Sequence, residues 1–166
     1  ATLVLLPGNT KVREILFLPR RHPLTETWDG HMYSPEEAYQ LSGVREIWQS
    51  SEFDPFIKAL RNRQPYRPKP ENVFKSDQPA ETTVSNDHGF TALFDAAAKG
   101  EAGIFMLVPG DGESREFKYE QRFASEWAKT ASGYSIKNAW PIFSQMRLVK
   151  SPMELRIMQH AIDISI

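Results

Sequence analysis

Apolar residues open the chain in two compact runs, Thr2–Leu6 and Arg13–Leu18, each of strand length. Pro7-Gly8-Asn9-Thr10 between them is turn chemistry, so the pair predicts a β-hairpin. The first run is apolar at successive positions (Leu3, Val4, Leu5, Leu6), which predicts a central strand covered on both faces. Arg20 to Met32 reads as a polar loop carrying Trp28. A helix start follows: Ser34 suits the N-cap, Pro35 the first helical position, and Glu37 completes a capping box. Gly43 suits the C-terminal cap. A short strand is expected over Val44–Trp48. Phe53, Phe56, Ile57 and Leu60 then recur at helical spacing, with Ser51 as a candidate N-cap.

The pattern breaks from Gln64 to Gly89, where Pro65, Pro68, Pro70 and Pro79 stand among polar residues and predict a long, partly extended loop or insertion. Beyond it, Phe90, Leu93, Phe94 and Ala97 share one helical face. Ile104–Val108 reads as a strand and Pro109-Gly110-Asp111-Gly112 as a turn. Tyr119 to about Ala131 reads as a helix with Phe123 and Trp127 at i, i+4, and Tyr134–Ala139 as a strand. Ser151-Pro152-Met153-Glu154 is a second capping box, opening a helix with Leu155, Met158 and Ile162 in one stripe. The chain starts at Ala1 inside an apolar run and stops at Ile166 inside a periodic helix, so it is expected to be part of a longer protein.

Composition narrows the classes. Of 166 residues, 40% are hydrophobic and 25% charged, ordinary values for a globular protein. No apolar run approaches the roughly 18–20 residues that span a bilayer. A net charge of −1 gives no global attraction for nucleic acid or membrane, and neither is expected as a partner. With no cysteine, disulfides, thiolate metal sites and a cysteine nucleophile are excluded. No signal peptide is visible, and a cytoplasmic location is expected. His22, His31, His88 and His160 form no i, i+4 pair, and no metal ligand is assigned within the chain. Gly110-Asp111-Gly112 lacks the third glycine of a dinucleotide-binding loop. Glu36 and Glu37 suit a helix N-terminus better than acid–base chemistry. Lys58, Arg61, Arg63, Arg67 and Lys69 cluster around Tyr66, a pattern able to hold a phosphate backbone. Residues 71–120 balance it with ten acids against four bases, so a solvated or internally paired stretch is the expected reading.

Two motifs carry a resemblance. Met146-Arg147-Leu148-Val149-Lys150-Ser151-Pro152-Met153-Glu154-Leu155, continuing to Met158 and Ala161, resembles the junction of Xaa-Pro aminopeptidases (aminopeptidase P) and related prolidases. In that family a strand ending in R-x-x-K-S-P-x-E leads into the first helix of a pita-bread catalytic domain. Leu16-Phe17-Leu18-Pro19-Arg20-Arg21, then Glu26-Thr27-Trp28-Asp29-Gly30, is similar to the LF-x-P-x-R…E-x-W-x-G stretch of the creatinase-like N-terminal domain.

The resemblance implies an α/β fold with a mixed, largely parallel sheet flanked by helices in ribonuclease-H-like layers. It implies residues 1–148 as the creatinase-like domain, its opening portion missing and 63–118 enlarged, and 149–166 as a linker and the first catalytic-domain helix. The parent would release the N-terminal residue preceding proline, with two divalent ions, usually manganese, bound in a catalytic domain absent from this chain. The chain itself would be non-catalytic. It would gate peptides with proline at the second position, contact its own catalytic domain and help form a homo-oligomer. Trp28 would wall the cleft, and Asp29 or His31 would hold a peptide amino group or carbonyl. The competing reading is a non-catalytic protein-binding module, as in histone-chaperone subunits of the same architecture. The sequence downstream of Ile166 separates the two.

Overall fold

The strand that organises the first part of the molecule is the second one. A computed structural model describes residues 1–77, 89–108 and 115–165. In it β1 (Thr2–Leu5) and β2 (Glu14–Leu18) form the expected antiparallel hairpin, with Leu3 opposite Leu16 and Val4 opposite Ile15. β3 (Ile47–Gln49) runs parallel to β2, and β4 (Val73–Lys75) antiparallel to β3, giving the order β1-β2-β3-β4. β1 is therefore an edge strand, not the covered central strand its composition predicts, and Leu3 and Leu5 are more than half exposed. Burial on both faces belongs to β2. Ile15 and Phe17 are sealed toward one side and Leu18 toward the other, because β2 has a strand on each flank and helices on each face.

After β2 the chain forms α1 (Pro23–Asp29), where the pattern predicts a loop. None of its residues is buried, so no apolar stripe announces it. Its signals are local: Pro23 in the first turn, Glu26 near the N-terminus, and Gly30 at φ 85° ending it. α2 (Pro35–Ser42) has the expected capping box: the Glu37 amide donates to Ser34 Oγ at 3.2 Å, and the Ser34 amide to Glu37 Oε2 at 2.7 Å. Gly43 ends α2 in the left-handed region. α2 covers one face of the sheet through a cluster of Leu18, Ala38 and Ile47, flanked by Leu16, Tyr39 and Phe74.

The other face is aromatic. Phe17 packs edge-on against Trp48 and Phe53, with centroids 5.6 and 5.2 Å away, and against Phe56 at 5.6 Å. Phe56 reaches Phe90 at 6.1 Å, which joins α3 (Phe53–Arg61) to the start of α4 (Thr91–Ala98). Ser51 does not cap α3. It lies in a 3-10 turn, Ser50–Glu52, and no side chain caps the helix.

Glu52 is held elsewhere, by the stretch from Gln64 onward that is expected as a long, partly extended loop. There Pro70–Asn72 forms a 3-10 turn and β4 follows, while residues 78–88 lie outside the described region. Two buried carboxylates use its polar side chains. Glu52 accepts from the Tyr66 hydroxyl and from Asn72 Nδ2 at 2.6 Å. Glu46 accepts from Trp48 Nε1 and Ser76 Oγ, both at 2.7 Å, with the Arg67 guanidinium 3.8 Å away. Burying a carboxylate without such partners would cost several kcal/mol, so this order is what lets the chain carry an acid just before β3 and another just after it. Burial, and then the bond to Glu52, push the Tyr66 phenol above its ordinary value. Arg63 donates to the Ser132 carbonyl at 3.1 Å. Arg63 and Arg67 of the basic cluster thus serve internal contacts.

The chain divides into two compact units: residues 1–102 with 131–133, and residues 103–130 with 134–166. The second contains the pair β5 (Ala102–Met106) and β6 (Tyr134–Asn138), with α5 (Lys118–Thr130), α6 (Trp140–Leu148) and α7 (Pro152–Ser165). Trp127 is sealed, stacked on Phe123 at 5.6 Å and edge-on to Tyr134 at 5.4 Å. The junction expected as a strand at Met146–Leu148 is the last turn of α6. The chain becomes extended only at Val149. α7 has its predicted capping box, Ser151 to Glu154 at 2.7 and 3.3 Å, and buries none of its described residues. The expected turn at Pro109–Gly112 lies outside the described residues. The outcome is the expected α/β class, two sheets with seven α-helices among the described residues. The four-stranded sheet, however, is not the largely parallel one expected: β2–β3 is parallel, whereas the hairpin β1–β2 and the pair β3–β4 are antiparallel. No helix among them is long and apolar enough to cross a membrane.

Gly133 and Gly100 both have positive φ, 86° and 77°. A Cβ at Gly133 would sit 1.8 Å from the Ala97 carbonyl oxygen, whereas one at Gly100 meets nothing within 4 Å. Urea unfolding should therefore find Gly100→Ala costing about 1–2 kcal/mol, the left-handed strain alone. Gly133→Ala should cost clearly more. Equal losses would remove the close approach from the account.

Candidate functional site

The site is built on the elbow between β2 and α2. Pro19 closes β2, and Arg20 turns back to donate to Gln49 Oε1 at 3.2 Å while lying 5.9 Å over the Phe74 ring. Arg21 clamps Glu26 with two bonds, Nε at 2.9 Å and Nη2 at 3.2 Å. Glu26 Oε1 also accepts the Met32 amide at 3.0 Å. One carboxylate thus ties the approach to α1, its middle, and its exit into a closed loop. These contacts hold Glu26 below the usual carboxylate range, Arg21 first, then the Met32 amide, then the charge of His31. Glu37 is lowered similarly, chiefly by the Ser34 amide and hydroxyl.

The three residues singled out from the sequence are brought together here in different environments. Trp28 follows Glu26 by two positions, roughly 200° around the helix, so it faces away from the clamp. It is 88% exposed, and Leu24, one turn earlier, is 70% exposed. The Trp28 ring does not cap the small core, as a tryptophan more often does. Asp29 is the last residue of α1 and is exposed. His31 follows Gly30 and is set between two acids, its Nε2 3.3 Å from Glu37 Oε1 and its Nδ1 3.8 Å from Glu26 Oε1, with Tyr33 edge-on at 5.3 Å.

Arg21, Glu26 and Glu37 were not among the site candidates. Glu26 had a signal, since it is the first letter of the E-x-W-x-G stretch, but its contact with the Met32 amide is a backbone interaction that residue types do not reveal. Among the described residues no group of three or more His, Cys, Asp or Glu side chains could hold a metal ion. What the arrangement offers is recognition: an indole and an isobutyl group on one exposed helical face, a carboxylate at its end, and a rigid clamp behind.

Together fold and site define a mixed α/β domain that presents an aromatic helix from the end of a central strand. Residues 1–67, which hold β1 through α3 and the whole elbow, match the family described as aminopeptidase P, N-terminal domain. Across 99% of its length the chain is 27% identical to an Xaa-Pro aminopeptidase of Haemophilus influenzae, spanning 28% of that protein. A solved chain from Bacillus anthracis, provisionally assigned as an aminopeptidase P, is 16% identical and superposes with a TM-score of 0.53, over 89% of this chain and 27% of that one. The aminopeptidase P resemblance read from the two motifs is thus found again in sequence and in fold. The chain spans just over a quarter of the length of these relatives.

The clamp has a predictable acid limit. A carboxylate whose folded value is lowered contributes stability above its ordinary range, near pH 4.3, and loses it as pH falls through the folded value below that. In amide exchange of the 166-residue chain, Met32 should therefore stay protected down to about pH 4 and open below it. Glu26→Gln should open the same amide at neutral pH while leaving the melting temperature nearly unchanged. An unaltered Met32 amide in that variant would show that Glu26 does not hold the elbow.

Proposed function

We propose that this chain is the N-terminal, substrate-gating and oligomerising domain of a metal-dependent Xaa-Pro aminopeptidase, which releases an N-terminal residue preceding proline. The observation that carries the reading is Trp28: a large indole left 88% exposed, on a helix that buries nothing, inside the segment matching the aminopeptidase P N-terminal domain. Such a ring is costly to leave in water and useful against a proline ring, which stacks on aromatic faces without exact polar geometry. In this reading Trp28 walls a neighbouring subunit's cleft in a homo-oligomer, and Asp29 or His31 meets the peptide amino group or a carbonyl. The wall admits short free N-termini and rejects internal peptide bonds.

Residues 1–148 form the gating domain in this proposal, and 149–166 are the linker and first helix of the catalytic domain. Leu155, Met158 and Ile162, all at least half exposed, give α7 an apolar stripe suited to that domain. The catalytic domain supplies the pair of divalent ions, manganese by family analogy, and the hydrolytic chemistry. The protein works in the cytoplasm.

The test is Trp28→Ala in the oligomeric protein carrying its catalytic domain. Loss of one aromatic contact, about 0.5–1.5 kcal/mol, should weaken binding or turnover of Xaa-Pro peptides by roughly 2- to 12-fold. The melting temperature should be nearly unchanged. The 166-residue chain alone, with manganese added, serves as the inactive control. Unchanged kinetics would refute the wall. So would a stability loss of about 3–5 kcal/mol, the mark of a buried tryptophan.

A further inference from the structure

His31 is a half-exposed imidazole set between two carboxylates. Both ring nitrogens face carboxylates, Nε2 toward Glu37 on α2 at 3.3 Å and Nδ1 toward Glu26 on α1 at 3.8 Å. A neutral imidazole has one N–H donor and one lone pair, so one nitrogen must turn its lone pair on an anion. The imidazolium carries a positive charge that attracts both carboxylates, as an ion pair rather than through hydrogen bonds. The other charged group at this point is Arg21, already spent on Glu26 with two bonds, and the Tyr33 ring meets the imidazole edge-on. Glu26 and Glu37 are both held in their charged forms, in part by His31 itself. The two acids belong to different helices and are joined through the turn Gly30–Ser34, so a cation between them draws the end of α1 toward the start of α2.

We propose that His31 is a positioning residue, a proton-operated latch across the α1–α2 elbow that carries Trp28. Histidine is the side chain that ordinarily changes charge between pH 5 and 8. Protonation closes the latch, deprotonation slackens it, and below about pH 4 protonation of the carboxylates opens it again. The latch stands on the elbow geometry alone. Its consequence for peptide cleavage rests on the proposed role of Trp28, because slackening α1 would broaden the range of positions the indole visits.

The Met32 amide, which bonds Glu26 inside the latch, is the reporter. Its exchange, corrected for the intrinsic pH dependence, is measured in the 166-residue chain at about pH 5.5 and about pH 8. The wild type should show protection higher at the lower pH by roughly 1.5- to 5-fold, the range for an exposed ion pair. His31→Gln should lose that step. His31→Arg, charged at both values, should be protected at both. A second arm measures Xaa-Pro turnover of the oligomeric enzyme at the same two pH values in wild type and His31→Gln. An exchange step that depends on His31, with turnover ratios that do not, would leave the latch standing and remove Trp28 from catalysis. A Met32 amide with the same pH dependence in wild type and His31→Gln would overturn the latch, whatever Trp28 does.

Discussion

A strand buried on both faces sets the terms for the first unit. From Ile15 to Leu18, β2 carries apolar side chains alone: Ile15 and Phe17 go into the aromatic layer under α3 and α4, Leu16 and Leu18 into the aliphatic layer under α2. Backbone groups so enclosed must find partners along the sheet, which β1 and β3 provide from either side. The strand cannot slip by one residue without exchanging the two layers. The chain therefore leaves β2 at a fixed point, Leu18-Pro19, and the elbow carrying Trp28 is hung from that point by Arg20, Arg21 and Glu26.

This division of labour explains what the sequence made legible. Capping boxes at Ser34 and Ser151 were readable because donor and acceptor lie three residues apart and need no tertiary partner. Helices with a buried stripe, α3 and α5, were readable from periodicity. α1 was not, because periodicity records burial and α1 has none. β1 and β2 look alike in composition. Which of them is central depends on where β3 docks, a fact located some thirty residues away. The segment after Gln64 reads as a loop because Pro65, Pro68, Pro70 and Pro79 interrupt it among polar residues, and the partners of those polar side chains are not adjacent in sequence. Tyr66, Arg67, Asn72 and Ser76 instead serve carboxylates at Glu46 and Glu52. At the motif beginning with Met146, expected as a strand, the local backbone is helical up to Leu148.

In the candidate site the sequence named the displayed residues and missed the scaffold. Trp28, Asp29 and His31 stand together at the end of α1, yet what gives them defined positions is Glu26, a single carboxylate reaching one side chain and one backbone amide. Stability and display are separated around one short helix. The Glu26 side fixes α1 to its surroundings, and the side opposite leaves Leu24 and Trp28 in water. An exposed indole held by a rigid clamp loses little conformational freedom on contact with a ligand, which favours its use in recognition.

The central claim is that Trp28 meets the peptide, and it can be observed directly. The oligomeric protein with its catalytic domain is labelled with 5-fluorotryptophan, and the Trp28 resonance is assigned by its loss in Trp28→Phe. A non-hydrolysable peptide analogue with proline at the second position is then titrated in while the fluorine spectrum is recorded. The account predicts that the Trp28 line shifts saturably, with the same midpoint as inhibition of turnover. A Trp28 line that stays fixed while turnover is fully inhibited would contradict it.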